Sequence, residues 1–239
     1  MAIRRSHEDG RFFFSMAVVS ALVIFLGFAP SFYLKSIIHA PPPLSALTTV
    51  HGLVFTAWVL LFVVQSALIG FGNPALHRQL GVLGAVLFGV VLALGLSTAI
   101  TAGRLGHAPP GAPAPLAFMA LPVIDIAGAA TLFLLALANR SRFDFHKRLM
   151  LASLIAMTSP GTARIAMAVG QFAASTWISL VVMDLLLGAA ISYDLVVHKR
   201  VHPAYLWSGA VFALINAGVA WGFSSPEWLA FATWLTRGG

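Results

Sequence analysis

Apolar residues follow one another in long runs that are interrupted by short polar turns. Two such runs occupy residues 51–72 and 80–101, and the polar turn 73–79 separates them. A helix needs roughly 20 apolar residues to cross a hydrocarbon core about 30 Å thick, and each run has this length. The pattern therefore predicts a membrane-spanning α-helix on each side of the turn.

The same pattern recurs along the whole chain and predicts seven spans. They cover residues 12–33, 46–71, 78–102, 115–138, 149–170, 175–197 and 204–223. The segment 39–45, HAPPPLS, contains three prolines and is predicted as an extended connector. Trp228, Phe231 and Trp234 recur at helical spacing, which predicts a short C-terminal helix at the membrane interface. We therefore expect an all-α integral membrane bundle that forms one domain over residues 1–239.

Glycine and proline predict local departures from simple packing. The third span contains Gly81, Gly84, Gly89 and Gly95. Small residues let helices approach closely in lipid, so this span is predicted to be the most tightly packed. The fifth span contains the sequence TSPG at 158–161, which predicts a kink or a break in the helix.

The composition supports a membrane protein and excludes several kinds of site. Apolar residues make up 59% of the chain and charged residues only 9%, too few to cover a soluble domain. The absence of cysteine excludes disulfides, thiolate metal sites and iron–sulfur clusters. The motifs GxSxG, HExxH and GxxxxGK[ST] are also absent, so no hydrolase or phosphate-loop chemistry is predicted.

The basic residues predict how the chain is oriented in the membrane. Formal net charge is +7, and ten of the 14 basic residues precede the first span or follow spans two, four and six. Their restriction to alternate loops fits the positive-inside rule better than nucleic-acid binding, so no nucleic-acid partner is expected. The N-terminus is predicted to be cytoplasmic, and the lipid bilayer is the expected partner.

Five polar residues from five spans are predicted to share the outer half of the bilayer. At 1.5 Å per residue, Asp125 and Asp184 lie roughly 13 Å below the outer surface, with Asn216 near the same level. His51 and Arg164 are shallower. Intramembrane ionisable residues are functional-site hypotheses by default, which favours an outward-opening polar pocket. The alternative is an ion pair of Arg164 with Asp125 or Asp184 that only holds the helices in register.

One face of the second span is predicted to line the same pocket. His51, Trp58 and Gln65 recur every seven residues and therefore lie on one side of the helix. We expect that side to point into the bundle, so Gln65 joins the predicted pocket.

Four histidines gather at the predicted cytoplasmic face: His77, His146, His198 and His202. His77 and His146 each open a helix at that face, so they are predicted to lie at equal depth. Imidazole suits iron, copper and zinc, which makes these two residues a candidate metal or haem site. The alternative is that they are interfacial residues in basic loops near the headgroups.

Part of the chain resembles a known family. The His-Gly pair at 51–52, Trp58, Gln65 and the sequence HRQLG at 77–81 resemble the dihaem transmembrane cytochrome b family, which moves electrons from ascorbate. The sequence HRQLG, followed by HKRLM at 146–150, also resembles small bacterial membrane families of unknown function. These resemblances imply a protein of the bacterial inner membrane.

The resemblance implies a cytochrome-b-like electron-transfer protein. Haem b would be held by His77 and His146, and His51 would line an outer pocket for a quinone or a small reductant. One alternative is a non-enzymatic transporter or small-ligand-binding protein that uses the polar residues of the outer pocket. The other is an accessory subunit that packs against other membrane subunits through the glycine-rich third span.

Overall fold

The computed structural model describes residues 2–38 and 43–237, and over these residues it contains helices and no β-strand. Residues 39–42 of the predicted connector lie outside the described part. A π-helical segment, Ala29–Tyr33, joins the first two α-helices. The α-helices are α1 (Ala2–Phe28), α2 (Lys35–Ile38), α3 (Ala46–Gly70), α4 (Pro74–Arg104), α5 (Pro115–Phe118), α6 (Ala120–Ala138), α7 (Phe143–Ala156), α8 (Ser159–Ala168), α9 (Ser175–His198), α10 (Pro203–Gly222) and α11 (Pro226–Arg237).

Seven helical segments in the described residues are long and apolar enough to cross a membrane. They are Asp9–Ile37, Ala46–Gly70, Pro74–Arg104, Pro115–Ala138, Phe143–Ala168, Ser175–His198 and Pro203–Gly222. This finding confirms the predicted all-α integral membrane protein with seven spans. The lipid bilayer is therefore its environment.

The start of the fifth span differs from the prediction. It was predicted to begin at residue 149, whereas α7 begins at Phe143. The charged residues before 149, which the sequence predicts as a loop, pair along the helix. Lys147 contacts Asp144 at 2.9 Å, and Arg148 also reaches Asp144 from one turn away.

Close contacts divide the chain into two compact units, Met1–Leu94 and Gly95–Gly239. The prediction of one domain over residues 1–239 stays a prediction. In the first unit, α1 packs along α3, and a Cβ atom on Gly10 would lie 3.0 Å from the Cα atom of Gly70. The ring of Trp58 on α3 lies 4.7 Å from that of Phe88 on α4.

In the second unit, α6 packs on α7 and α10, while α8 packs on α9. Glycines allow the close approach of α6 and α10. A Cβ atom would lie 2.4 Å from Ile215 if placed on Gly128, and 2.5 Å from the Cβ of Ala120 if placed on Gly222. The close approach of α6 and α10 therefore depends on the absence of side chains at these positions.

The predicted tight packing of the whole third span stays a prediction, and the boundary between the two units falls within α4. A Cβ atom on Gly84 would meet Leu61 at an ordinary 3.7 Å, and one on Gly89 would meet nothing within 4 Å. Within the first unit, these two glycines therefore show no close approach of a neighbouring helix. Glycine permits close approach, but the side chains around it decide whether a neighbouring helix is there.

The predicted break in the fifth span is confirmed, since α7 ends at Ala156 and α8 begins at Ser159. The backbone carbonyls at the break are satisfied locally. The Thr158 hydroxyl donates to the carbonyl of Ile155 at 2.7 Å, and the Met157 N–H donates to Leu154. Irregular backbone within a membrane-spanning segment needs such partners, because lipid offers none.

The C-terminal helix is present as predicted. Trp228 is buried, and its indole N–H donates to the carbonyl of Leu116 at 2.8 Å. Phe231 and Trp234 are exposed on the same helix. Helix α11 thus has an aromatic outer face, as an interfacial helix requires.

Candidate functional site

Asp125 is the most deeply buried carboxyl group of the predicted outer pocket. Its side chain is 3% exposed on α6, and neither oxygen accepts a hydrogen bond from any residue that the structure describes. The hydroxyl of Ser159 lies near this carboxyl group without forming a hydrogen bond to it. An ionised carboxyl group is costly away from water unless it is paired or hydrogen-bonded.

A short chain of hydroxyl groups begins beside Asp125. The oxygens of Ser159 and Ser179 are 3.3 Å apart, and the Ser179 hydroxyl donates to the carbonyl of Thr176 at 2.7 Å. Since Ser179 has one hydroxyl proton, Ser159 is the donor between the two serines. The lone pairs of Ser159 therefore face no donor within this pair, and the chain leads from α8 to α9.

Neither ion pair weighed for Arg164 forms among the described residues. Arg164 donates to the carbonyl of Pro160 at 3.0 Å, one turn back along α8. Among the residues that the structure describes, none donates a hydrogen bond to Asp125, whereas Asp184 accepts one from the amide of Asn216 at 2.8 Å. The predicted pocket residues are thus only partly brought together in the second unit, with Asp184 and Asn216 as the contacting pair.

The pair formed by Asp184 and Asn216 lies at the surface of α9 and α10. Asp184 is exposed and Asn216 is half-buried. Asp184 stands nine residues after Ser175, so it lies roughly 13 Å along the span at 1.5 Å per residue. The carboxylate of Asp184 is exposed and therefore lies in a different environment from the buried carboxyl group of Asp125.

Gln65 does not belong to an outer pocket, which corrects the prediction for the second span. Gln65 and His51 are 14 residues apart on α3, about 21 Å along the helix axis. The Gln65 amide donates to the carbonyl of His77 at 3.2 Å in the hairpin between α3 and α4. His51 stacks on Phe55 with ring centroids 6.1 Å apart. A shared helix face therefore does not mean a shared depth.

The two histidines predicted to hold haem fall in different units. His77 belongs to the first, and its carbonyl accepts from Gln65. His146 belongs to the second, and its Nδ1 lies 2.9 Å from the carbonyl oxygen of Ala136. A carbonyl only accepts, so Nδ1 carries the proton. Across the described residues, no three His, Cys, Asp or Glu side chains converge as a metal-ion site would require.

The structure contains a buried ion pair that the sequence analysis did not predict. The guanidinium of Arg148 on α7 contacts both carboxylate oxygens of Asp194 on α9, at 2.9 Å through Nε and 2.8 Å through a terminal nitrogen. Arg148 is 3% and Asp194 is 1% exposed. Planar, two-point contact of this kind is the strongest geometry for such a pair.

Two of the predicted cytoplasmic histidines border this ion pair. His198 and His202 line a small cavity of about 70 Å³ together with Asp144, Arg148 and Asp194. The Nε2 atom of His198 lies 4.0 Å from Asp194. The sequence predicted both histidines at this end of the spans. It also shows Asp194 one turn before His198, which could have indicated an acidic group beside them. Arg148 was missed because it was assigned to a loop.

His202 caps α10 with an unprotonated ring nitrogen. Its Nδ1 accepts from the backbone N–H of Ala204 at 3.1 Å. Burial, followed by the positive charge of Arg148, lowers the pKa of His202 below its usual value. Protonation would remove the acceptor and so remove the cap.

We expect His202 to make the protein less stable as the solution becomes acidic. A histidine with a lowered pKa in the folded state binds protons more weakly than in the unfolded chain. Its stabilising contribution is therefore present above pH about 6.5 and is lost as pH falls through the lower folded-state pKa. Unfolding midpoints measured between about pH 5 and 7.5 should show this loss in the wild type and a smaller loss in His202→Asn, because asparagine caps without titrating. An equal loss in both proteins would contradict the role of His202.

Comparison with protein-family models, with curated proteins and with solved structures finds no match. The resemblance to the dihaem cytochromes therefore stays a prediction.

Proposed function

We propose that this protein is a proton-coupled membrane carrier in which Asp125 takes up and releases the proton. The observation that carries the proposal is the burial of the Asp125 carboxyl group inside a membrane-spanning helix without a hydrogen-bond partner among the described residues. Ionisable residues in such positions commonly form proton relays and ion pathways.

The broken fifth span supports the same proposal. Carriers often bind protons or ions where a membrane-spanning helix is interrupted, because the interruption exposes helix ends and leaves room for movement. Ser159 opens α8 at the break and lies near Asp125. A small shift would let the acid proton of Asp125 reach a lone pair of the Ser159 oxygen, since the Ser159 hydroxyl proton is donated to Ser179. The serine pair would then be the first step of a path for the proton.

Asp125→Asn tests this proposal, with Asp184→Asn as the matched control. Infrared spectra of the reconstituted wild-type protein at neutral pH should contain the carbonyl band of a protonated carboxyl group. We expect the band to shift in heavy water, because the proton exchanges. The band should be absent from Asp125→Asn and present in Asp184→Asn, whose aspartate is exposed.

The carrier proposal also requires proton movement. Vesicles that contain a pH-sensitive dye should acidify faster with wild-type protein than with Asp125→Asn when a membrane potential drives protons inward. A carboxyl band that persists in Asp125→Asn would contradict the proposal. Complete resistance of the wild-type band to heavy water, in a protein that remains folded, would also contradict it.

The orientation of His146 favours a second candidate, a haem-containing electron-transfer protein of the bacterial inner membrane. Haem-ligating histidines commonly donate Nδ1–H to a backbone carbonyl and bind iron through Nε2. The contact of His146 with Ala136 has this arrangement. Bound haem would supply one-electron chemistry for a quinone or small reductant. A Soret band in the same purified protein, lost in His146→Ala, supports this candidate, and a colourless folded protein rejects it.

A further inference from the structure

An apolar crevice of about 220 Å³ opens between α6, α7 and α10 at the predicted cytoplasmic ends of these helices. Its volume exceeds that of a 150 Å³ protein cavity that accommodates benzene, but it is smaller than most sites for drug-sized ligands. It suits part of a long molecule. The lining residues are Leu135, Asn139, Arg142, Phe145, Leu149 and Trp207.

Arg142 gives the crevice a positive charge that no acidic residue in the described chain neutralises. Its guanidinium carbon lies 3.9 Å above the centre of the Phe145 ring, which holds the side chain at the crevice. Lys147 and Arg148 differ, because Asp144 and Asp194 pair with them. Arg142 keeps its N–H donors for a ligand, since its side chain forms no hydrogen bond within the described residues.

Trp207 places the crevice at the level of the lipid headgroups. It lies near the start of α10 and is 57% exposed. Exposed tryptophans at the ends of membrane-spanning helices are typical of the headgroup level, where one side of the ring is apolar and the other meets water. The apolar wall of the crevice therefore continues from the lipid acyl chains to the guanidinium group.

We propose that this crevice is a binding site for an anionic phospholipid. The lipid phosphate pairs with the Arg142 guanidinium, whose planar donors match phosphate oxygens. The upper part of one acyl chain packs against Leu135, Leu149 and Trp207. Basic pockets between membrane helices on the cytoplasmic side recognise anionic headgroups in this way. The site shares no residue with Asp125 or its serine pair.

Quenching of Trp207 fluorescence by brominated lipids tests this site in the full-length protein. Trp207→Phe provides the signal to subtract for the other tryptophans. We expect brominated phosphatidylglycerol to quench Trp207 at a roughly fivefold lower mole fraction than brominated phosphatidylcholine, the preference expected for one basic residue. Arg142→Gln should abolish this preference. Arg140→Gln, in the same exposed loop but outside the crevice lining, should keep it.

Three outcomes would overturn the proposal. Equal quenching by the two lipids would mean that the headgroup charge is not recognised. Equal loss of preference in Arg140→Gln and Arg142→Gln would mean diffuse attraction by the loop. Complete displacement of the anionic lipid by millimolar inorganic phosphate, at constant ionic strength, would identify a site for free phosphate. Circular dichroism spectra that match the wild type should accompany each variant.

Discussion

Replacement of Arg148 by methionine is expected to lower the free energy of unfolding by about 3–5 kcal/mol. The change leaves the carboxylate of Asp194, which is 1% exposed, without its two-point partner. It also removes the contact of Arg148 with the carbonyl of Asp144. An uncompensated buried charge costs more free energy than the ion pair contributes. Arg148→Met should therefore be less stable than a variant that lacks both charges. Unfolding in detergent, followed by circular dichroism over a titration with denaturant, measures the loss.

The double variant Arg148→Met with Asp194→Leu provides the sharpest control. When an apolar pair of similar volume replaces both charges, no unpaired charge remains, and stability should return close to that of the wild type. Arg140→Met, which changes an exposed arginine, should cost little. A loss below about 1 kcal/mol in Arg148→Met, or a double variant as unstable as the single one, would contradict this account.

Replacement of Gly222 by alanine is expected to destabilise the second unit by about 1–3 kcal/mol. The new Cβ atom would lie 2.5 Å from the Cβ of Ala120, and neither methyl group has a rotamer that relieves the clash. The ends of α10 and α6 must therefore move apart. The shift in the unfolding midpoint of the purified protein measures the effect.

Gly209→Ala on the same helix is the matched control. A Cβ atom there would meet nothing within 4 Å. Alanine also restricts the unfolded chain, so this variant should be neutral or slightly more stable. If the two glycine variants behaved alike, close packing of α10 on α6 would not be the cause.

The spans could be predicted because hydropathy and length act locally along the chain. The break at Pro160 was also predictable, since proline lacks the N–H that a continuous helix needs. The partner of Arg148 was not predictable in this way. Arg148 and Asp194 are 46 residues apart, and their contact depends on how α7 and α9 pack. The contact of Gln65 was not predictable for a related reason. Periodicity predicts which residues share one face of a helix, but it does not predict which residues that face contacts.

The candidate site was predictable in its residue types more than in its contacts. The sequence identified Asp125 as an acid deep in a span, and the structure describes it as buried without a hydrogen-bond partner. The pairing of Asp184 with Asn216 instead of Arg164 depends on the rotation of α9 and α10 about their axes. Such rotation is set by side-chain packing across helices, which one amino-acid sequence does not reveal.

The interruption at residues 157–158 divides the fifth membrane span into two short helices, α7 and α8. Helix α7 packs on α6, and helix α8 packs on α9. A change of angle between the two helices would move α8 relative to α7, while the ion pair of Arg148 with Asp194 keeps the far end of α9 on α7. Such a movement of α8 would separate Ser159 from Asp125 without unwinding either helix.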